Sequence, residues 1–82
     1  MEAEKMLKDL GYEIERDDNA YLIYIKYDED CGHDTGSIEK IIFDKTFNRV
    51  AHTTNSYFDF IDYKELKAIN QQCKELGWLD EE

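Results

Sequence analysis

The stretch AYLIYIKY, residues 20–27, limits what this chain can fold into more than any other feature. It is aromatic and β-branched almost throughout, the composition of a pleated, half-buried strand. Strand side chains alternate between faces. Tyr21, Ile23, Ile25 and Tyr27 therefore share one face, and Leu22, Tyr24 and Lys26 share the other. Turn residues bound the stretch on both sides. Asp17-Asp18-Asn19 precede it, and a polar segment with Gly32 and Gly36 follows over residues 28–37, as expected of an exposed hairpin loop.

The rest of the chain supplies partners for that strand. Residues 12–16 alternate Tyr12 and Ile14 with acids and predict a first strand. Residues 38–44 predict a third, with Ile41 and Phe43 on one face and Ile42 on the other. Residues 49–54 predict a fourth through Val50 and His52, with a short extension over residues 57–61. The chain has no Pro, so its turns rest on Gly, Asn and Asp.

Helices flank the strands. Ala3, Met6, Leu7 and Leu10 fall at helical spacing over residues 2–10, and Gly11 supplies a left-handed cap that lets Tyr12 fold back on Leu7. Asp62 and Glu65 form a capping-box pair ahead of a second helix, with Ile61 and Leu66 placed as a hydrophobic staple. Tyr63, Leu66, Ile69, Cys73 and Leu76 make its apolar stripe, and Gly77-Trp78 ends it as Gly11-Tyr12 ends the first. Two uses of one cap chemistry explain that likeness better than a duplicated unit.

These elements predict one α+β domain over residues 1–82. A four-stranded, mostly antiparallel sheet carries an N-terminal and a C-terminal helix on one face. The predicted core is Met6, Leu7, Leu10, Ile14, Tyr21, Ile23, Ile25, Ile41, Phe43, Leu66, Ile69, Cys73, Leu76 and Trp78. The opposite face then carries Leu22, Tyr24 and Ile42, ringed by Lys26, Lys40, Glu13 and Glu15. An apolar centre with a polar rim is the arrangement of a protein interface.

Charge narrows the function. Twenty acids against ten bases give a net charge of -10, which opposes direct binding to nucleic acid or to an anionic membrane. No apolar run approaches the roughly 20 residues of a membrane span. The N-terminus lacks a signal peptide's basic start and apolar stretch, so a cytoplasmic protein is expected. Cys31 and Cys73 then read as reduced thiols rather than a disulfide.

Catalytic and metal patterns fare poorly. Asp28, Asp30 and Glu39 match the first, third and twelfth places of a calcium loop, but its sixth place holds His33 instead of Gly. Cys31 and His33 give only half of a zinc-binding pattern. Cys31 stands among acids that disfavour a thiolate. No enzyme activity, metal or cofactor is expected.

The acids are the better lead. Glu13, Glu15, Asp17 and Asp18 gather at one end of the second strand; Asp28, Glu29, Asp30 and Asp34 gather at the other. Eight strand residues separate them, roughly 26 Å. Such clusters can imitate phosphates toward a basic groove on another protein, although ordinary solubility charge explains them more simply. The expected protein-binding residues are Glu13, Glu15, Leu22, Tyr24, Asp28, Glu29, Asp30 and Ile42. A homo-oligomeric assembly factor, with a homodimer joined through the sheet, is the alternative.

Three stretches carry a resemblance: Ala3-Glu4-Lys5-Met6-Leu7 leading to Leu10-Gly11-Tyr12; residues 40–47, KIIFDKTF; and residues 64–72, KELKAINQQ, leading to Leu76-Gly77-Trp78. In these the chain resembles a loose group of small acidic proteins encoded in phages and prophages of Gram-positive bacteria. Residues 28–37 and 48–60 lie outside the likeness. The resemblance implies a cytosolic protein made in a bacterial host. By analogy it implies an accessory factor that binds host or defence proteins; the acidic clusters, not the resemblance, point to one that handles nucleic acid. It brings no catalytic residue with it.

Overall fold

The computed structural model describes residues 2–28, 37–54 and 60–79. Helix α1 spans Glu2–Asp9, strands β1 to β4 span Glu13–Asp17, Tyr21–Asp28, Ser37–Asp44 and Arg49–Thr54, and helix α2 spans Tyr63–Glu75. The four strands form one antiparallel sheet in sequence order, with both helices on one face. The predicted α+β architecture is the observed one. The suggested extension over residues 57–61 falls partly outside the described residues, and residues 60 and 61 carry no strand.

Both helices end by the same device. Gly11 at φ +100° and Gly77 at φ +83° adopt the left-handed conformation that an L side chain resists. The next amide reaches back five residues, from Tyr12 N to Leu7 O at 3.0 Å and from Trp78 N to Cys73 O at 2.9 Å. Gly11 N and Gly77 N bond Lys8 O and Lys74 O, each at 3.0 Å, completing a Schellman cap. Tyr12 is thereby turned into the core and Trp78 against its edge. At the other end of α2 the capping box is complete: Asp62 accepts from Glu65 N at 2.9 Å, and Glu65 Oε1 accepts from Asp62 N at 3.3 Å.

The core lies on the opposite face of β2 from the one expected. Leu22 and Tyr24 are 6% and 1% exposed, and they pack with Leu7, Tyr12, Ile41, Phe43, Ala68 and Ile69. Residues opposite one another in an antiparallel pair share a face. The register sets Leu22 against Phe43 and Tyr24 against Ile41, which puts Tyr21, Ile23 and Ile25 on the far side; of these Ile25 is still buried, at 8% exposed, as expected, whereas Tyr21 and Ile23 are half-buried. Strand β2 is apolar at both parities, so alternation fixed the strand without fixing its face.

Two other core expectations are corrected. Ile14 is 36% exposed, on the edge strand β1, where a register shift between Ile14 and Arg16 interrupts the ladder. Leu66, Tyr63 and Ile61 are 59%, 66% and 41% exposed. Helix α2 buries Glu65, Ala68, Ile69 and Gln72 instead. The reason is polar: two tyrosine hydroxyls rise from beneath α2 and need acceptors. Tyr12 finds Glu65 Oε2 at 2.9 Å, and Tyr24 finds Gln72 Oε1 at 2.8 Å.

Candidate functional site

Three places in the fold gather chemistry-bearing side chains. The first lies where α2 begins above the sheet. Tyr12, Lys26 of β2, Glu39 of β3, His52 of β4 and Glu65 of α2 meet there. The Tyr12 hydroxyl is 2.9 Å from Glu65 Oε2 and 3.0 Å from Glu39 Oε1, and its one hydrogen serves one carboxylate at a time. Burial first, and then the hydrogen bond and charge of Glu65 and the charge of Glu39, push the phenol far above its ordinary pKa. Lys26 Nζ stands 3.8 Å from Glu39 and 3.6 Å from Glu65, and 5.0 Å from the centre of the Tyr12 ring.

His52 Nε2 lies 3.7 Å from Glu39 Oε1, and its side chain is 7% exposed. Glu39, His52 and Glu65 hold their ligand atoms within 4.8 Å of one another, close enough to surround a metal ion. The Lys26 ammonium argues against that use. It already stands beside both carboxylates, and a divalent ion would have to displace it against like-charge repulsion. The cluster reads as a lock: one ammonium and one phenol tie the start of α2 to β2 and β3. Glu39, weighed from sequence as the last ligand of a calcium loop, is part of this lock. Cys31 and His33 lie outside the described residues. Cys73 is a free, half-buried thiol whose pKa is raised by burial, the opposite of what a nucleophile needs.

The second place is a cavity of about 200 Å³ between the sheet and the helices, with Glu4, Asp17, Tyr24, Lys45 and Glu75 on its wall. Burial, followed by the charges of Glu4, Asp17 and Glu75, raises the Tyr24 phenol to about 12. These acids have partners within the chain. Lys8 holds Glu4 at 2.9 Å and Lys45 holds Asp17 at 3.5 Å. Glu75 Oε2 accepts from Ala3 N at 3.0 Å and so caps α1 from the other helix.

The third place is the face of the sheet away from the helices. Cross-strand pairing sets Ile23 beside Ile42 and Ala51, Ile25 beside Lys40, and Tyr27 beside Ile38. Ile38 is 37% exposed and Tyr27 66%. Charges frame the apolar residues. Glu15 pairs with Lys40 at 3.2 Å, Arg16 lies 5.0 Å over the Tyr21 ring, and Asp44 holds Arg49 at 2.9 Å.

The expected binding residues separate accordingly. Ile42 lies half-buried on the open face, as expected, with Glu13 and Glu15 exposed on the neighbouring strand β1. Leu22 and Tyr24 do not belong there: they are core, and the half-buried Tyr21 and Ile23 take their places, beside a buried Ile25. Asp28 ends β2, while Glu29, Asp30 and Asp34 lie outside the described residues. The cluster at the other end of β2 is partly spent on internal pairs. Asp18 accepts from Ala20 N and Tyr21 N and holds Arg16 at 2.6 Å, while Asp17 and Glu15 hold lysines.

No helix among the described residues is long and apolar enough to cross a membrane. Compared with known proteins, the sequence matches no family model, no curated protein and no solved structure at a significant level.

Proposed function

We propose that this protein is a small accessory factor of a bacterial host's cytoplasm that binds and modulates another protein through the open face of its sheet. The observation that carries this reading is the double-sided character of β2. Leu22 and Tyr24 are buried under the helices, yet the other face of the same strand carries Tyr21, Ile23, Ile25 and Tyr27. An antiparallel sheet with one solvated face normally shows polar residues there. An apolar centre framed by Glu13, Glu15, Arg16, Lys40 and Arg49 suits a protein partner. A net charge of -10 favours a basic partner, of the kind that handles nucleic acid, and speeds its approach. The likeness to small phage and prophage proteins supports the same role. The reading assigns no catalytic step.

The test compares affinity capture from a bacterial host lysate by the wild-type protein and by Ile23→Glu with Ile42→Lys, each first shown to be folded by circular dichroism. A basic partner held by the wild type and lost by the double variant supports the reading. Equal retention by both proteins refutes it.

A further inference from the structure

Helix α2 carries apolar residues that the fold leaves outside. Tyr63 and Leu66, which its sequence stripe places toward the core, are 66% and 59% exposed. The residues of α2 open to solvent are Tyr63, Lys64, Leu66, Lys67, Asn70 and Lys74. Three are lysines and none is an acid, in a chain with 20 acids and ten bases. The other cations are mostly spent. Lys8, Arg16, Lys26, Lys40, Lys45 and Arg49 each hold a carboxylate. Among the described residues Lys5, Lys64, Lys67 and Lys74 form no ion pair, and all four lie on the helices.

Two of these lysines border a groove. The end of α1 and the first turns of α2 enclose about 400 Å³, with Met6, Asp9, Leu10, Tyr63, Lys64 and Lys67 on the wall. Lys64 Nζ and Lys67 Nζ stand 6.0 and 5.8 Å from the centre of the Tyr63 ring, whose face attracts cations. The wall thus offers three apolar side chains and two positive charges, opposed by Asp9 alone.

We propose that this groove docks an acidic, amphipathic peptide segment of a second protein, with an apolar side chain against Tyr63 and carboxylates on Lys64 and Lys67. Charge selects the occupant. A second copy docked by the same face would set lysine against lysine, and a net charge of -10 opposes an anionic membrane. A short peptide senses mostly the charges within about 8 Å at physiological salt, and on this wall those sum to a positive charge. An exposed tyrosine between apolar neighbours and charged flanks is a common binding anchor. The groove lies on the helical side of the molecule, away from the open face of the sheet. Both sites can therefore be filled at once, a basic partner on the sheet and an acidic one on the helices. The inference stands independently of the open-face reading.

Nuclear magnetic resonance of the isotope-labelled full chain tests this. The probe is a pool of peptides about ten residues long, built from Asp, Glu, Leu and Phe. Amide signals are expected to move at Met6, Leu10 and residues 63–67. Lys64→Glu with Lys67→Glu should weaken binding about tenfold, and Asp9→Asn should tighten it about twofold. A pool with Lys in place of each acid should not bind. Circular dichroism first shows the variants folded, as expected for exposed helix positions. Ile23→Glu with Ile42→Lys should bind the pool as the wild type does, which separates this site from the open face. Absence of shifts at millimolar peptide, shifts elsewhere, or equal affinity of the charge-reversed variant overturns the proposal. Two other results also overturn it by naming another occupant. One is sedimentation with phosphatidylglycerol vesicles by a protein that ignores the peptides. The other is wild-type self-association that Lys64→Glu with Lys67→Glu abolishes, which would place the acids of a second copy in the groove.

Discussion

Single residues here carry more than one duty, and that governs which of them the sequence reveals. Gly11, Gly77 and Asp62 are legible because a helix end admits few chemistries. Glu65 is half-legible. Its role in the capping box follows from its spacing to Asp62, but its second oxygen accepts from Tyr12, a partner 53 residues away. Gln72 gives no signal, since its bond to Tyr24 exists only once α2 lies on the sheet. Asp18 offers a test at this scale. The Tyr21 amide first, then the Arg16 side chain and the Ala20 amide, hold its carboxyl down at about 2. A depressed folded pKa adds stability above the unfolded value of about 4, and that stability is lost as pH falls through the folded value. Urea midpoints of the wild type should therefore decline between about pH 4 and pH 2 more steeply than those of Asp18→Asn. Parallel profiles would mean that this turn does not depend on the charge of Asp18.

At the scale of elements, all six were legible, because each has its own period and boundary residues. Which face β2 turns to the helices was not. The parity of β2 is fixed by pairing, with Asp28 opposite Ser37, and by the demand of Tyr24 for a buried acceptor on α2. Strand β3 gave the clearer signal: Ile41 and Phe43 were placed correctly in the core, and both are fully buried. The same ambiguity moves the candidate interface, because the parity under the helices is Leu22 and Tyr24 and the open one is Tyr21 and Ile23. Alanine substitution separates the two arrangements. Leu22→Ala removes a fully packed side chain and should cost about 3 kcal/mol. Ile23→Ala, on a half-buried side chain of the open face, should cost about 1 kcal/mol. Urea denaturation of both variants reads the difference directly, and a larger cost at Ile23 than at Leu22 would mean that Ile23 faces the helices.

For the whole molecule, the excess of acids is plain in the sequence, but their pairing is not. The described ion pairs of Glu4, Glu15, Asp17 and Asp18 are largely solvent-accessible, whereas Asp44 is buried beside an exposed Arg49. Exposed pairs of this kind contribute about 0–1 kcal/mol each and weaken with salt. The net charge of -10 acts in the opposite sense, since salt also screens the repulsion among unpaired acids. We expect the second effect to dominate, with unfolding stability rising by on the order of 1 kcal/mol between low salt and about 0.5 M. A falling urea midpoint would show that the local pairs outweigh the net charge. Salt also tests the proposed contact with a basic partner, whose attraction to an acidic surface should weaken as salt rises. Binding that holds unchanged across a salt series would show that the apolar centre of the open face, and not the acids around it, carries the contact.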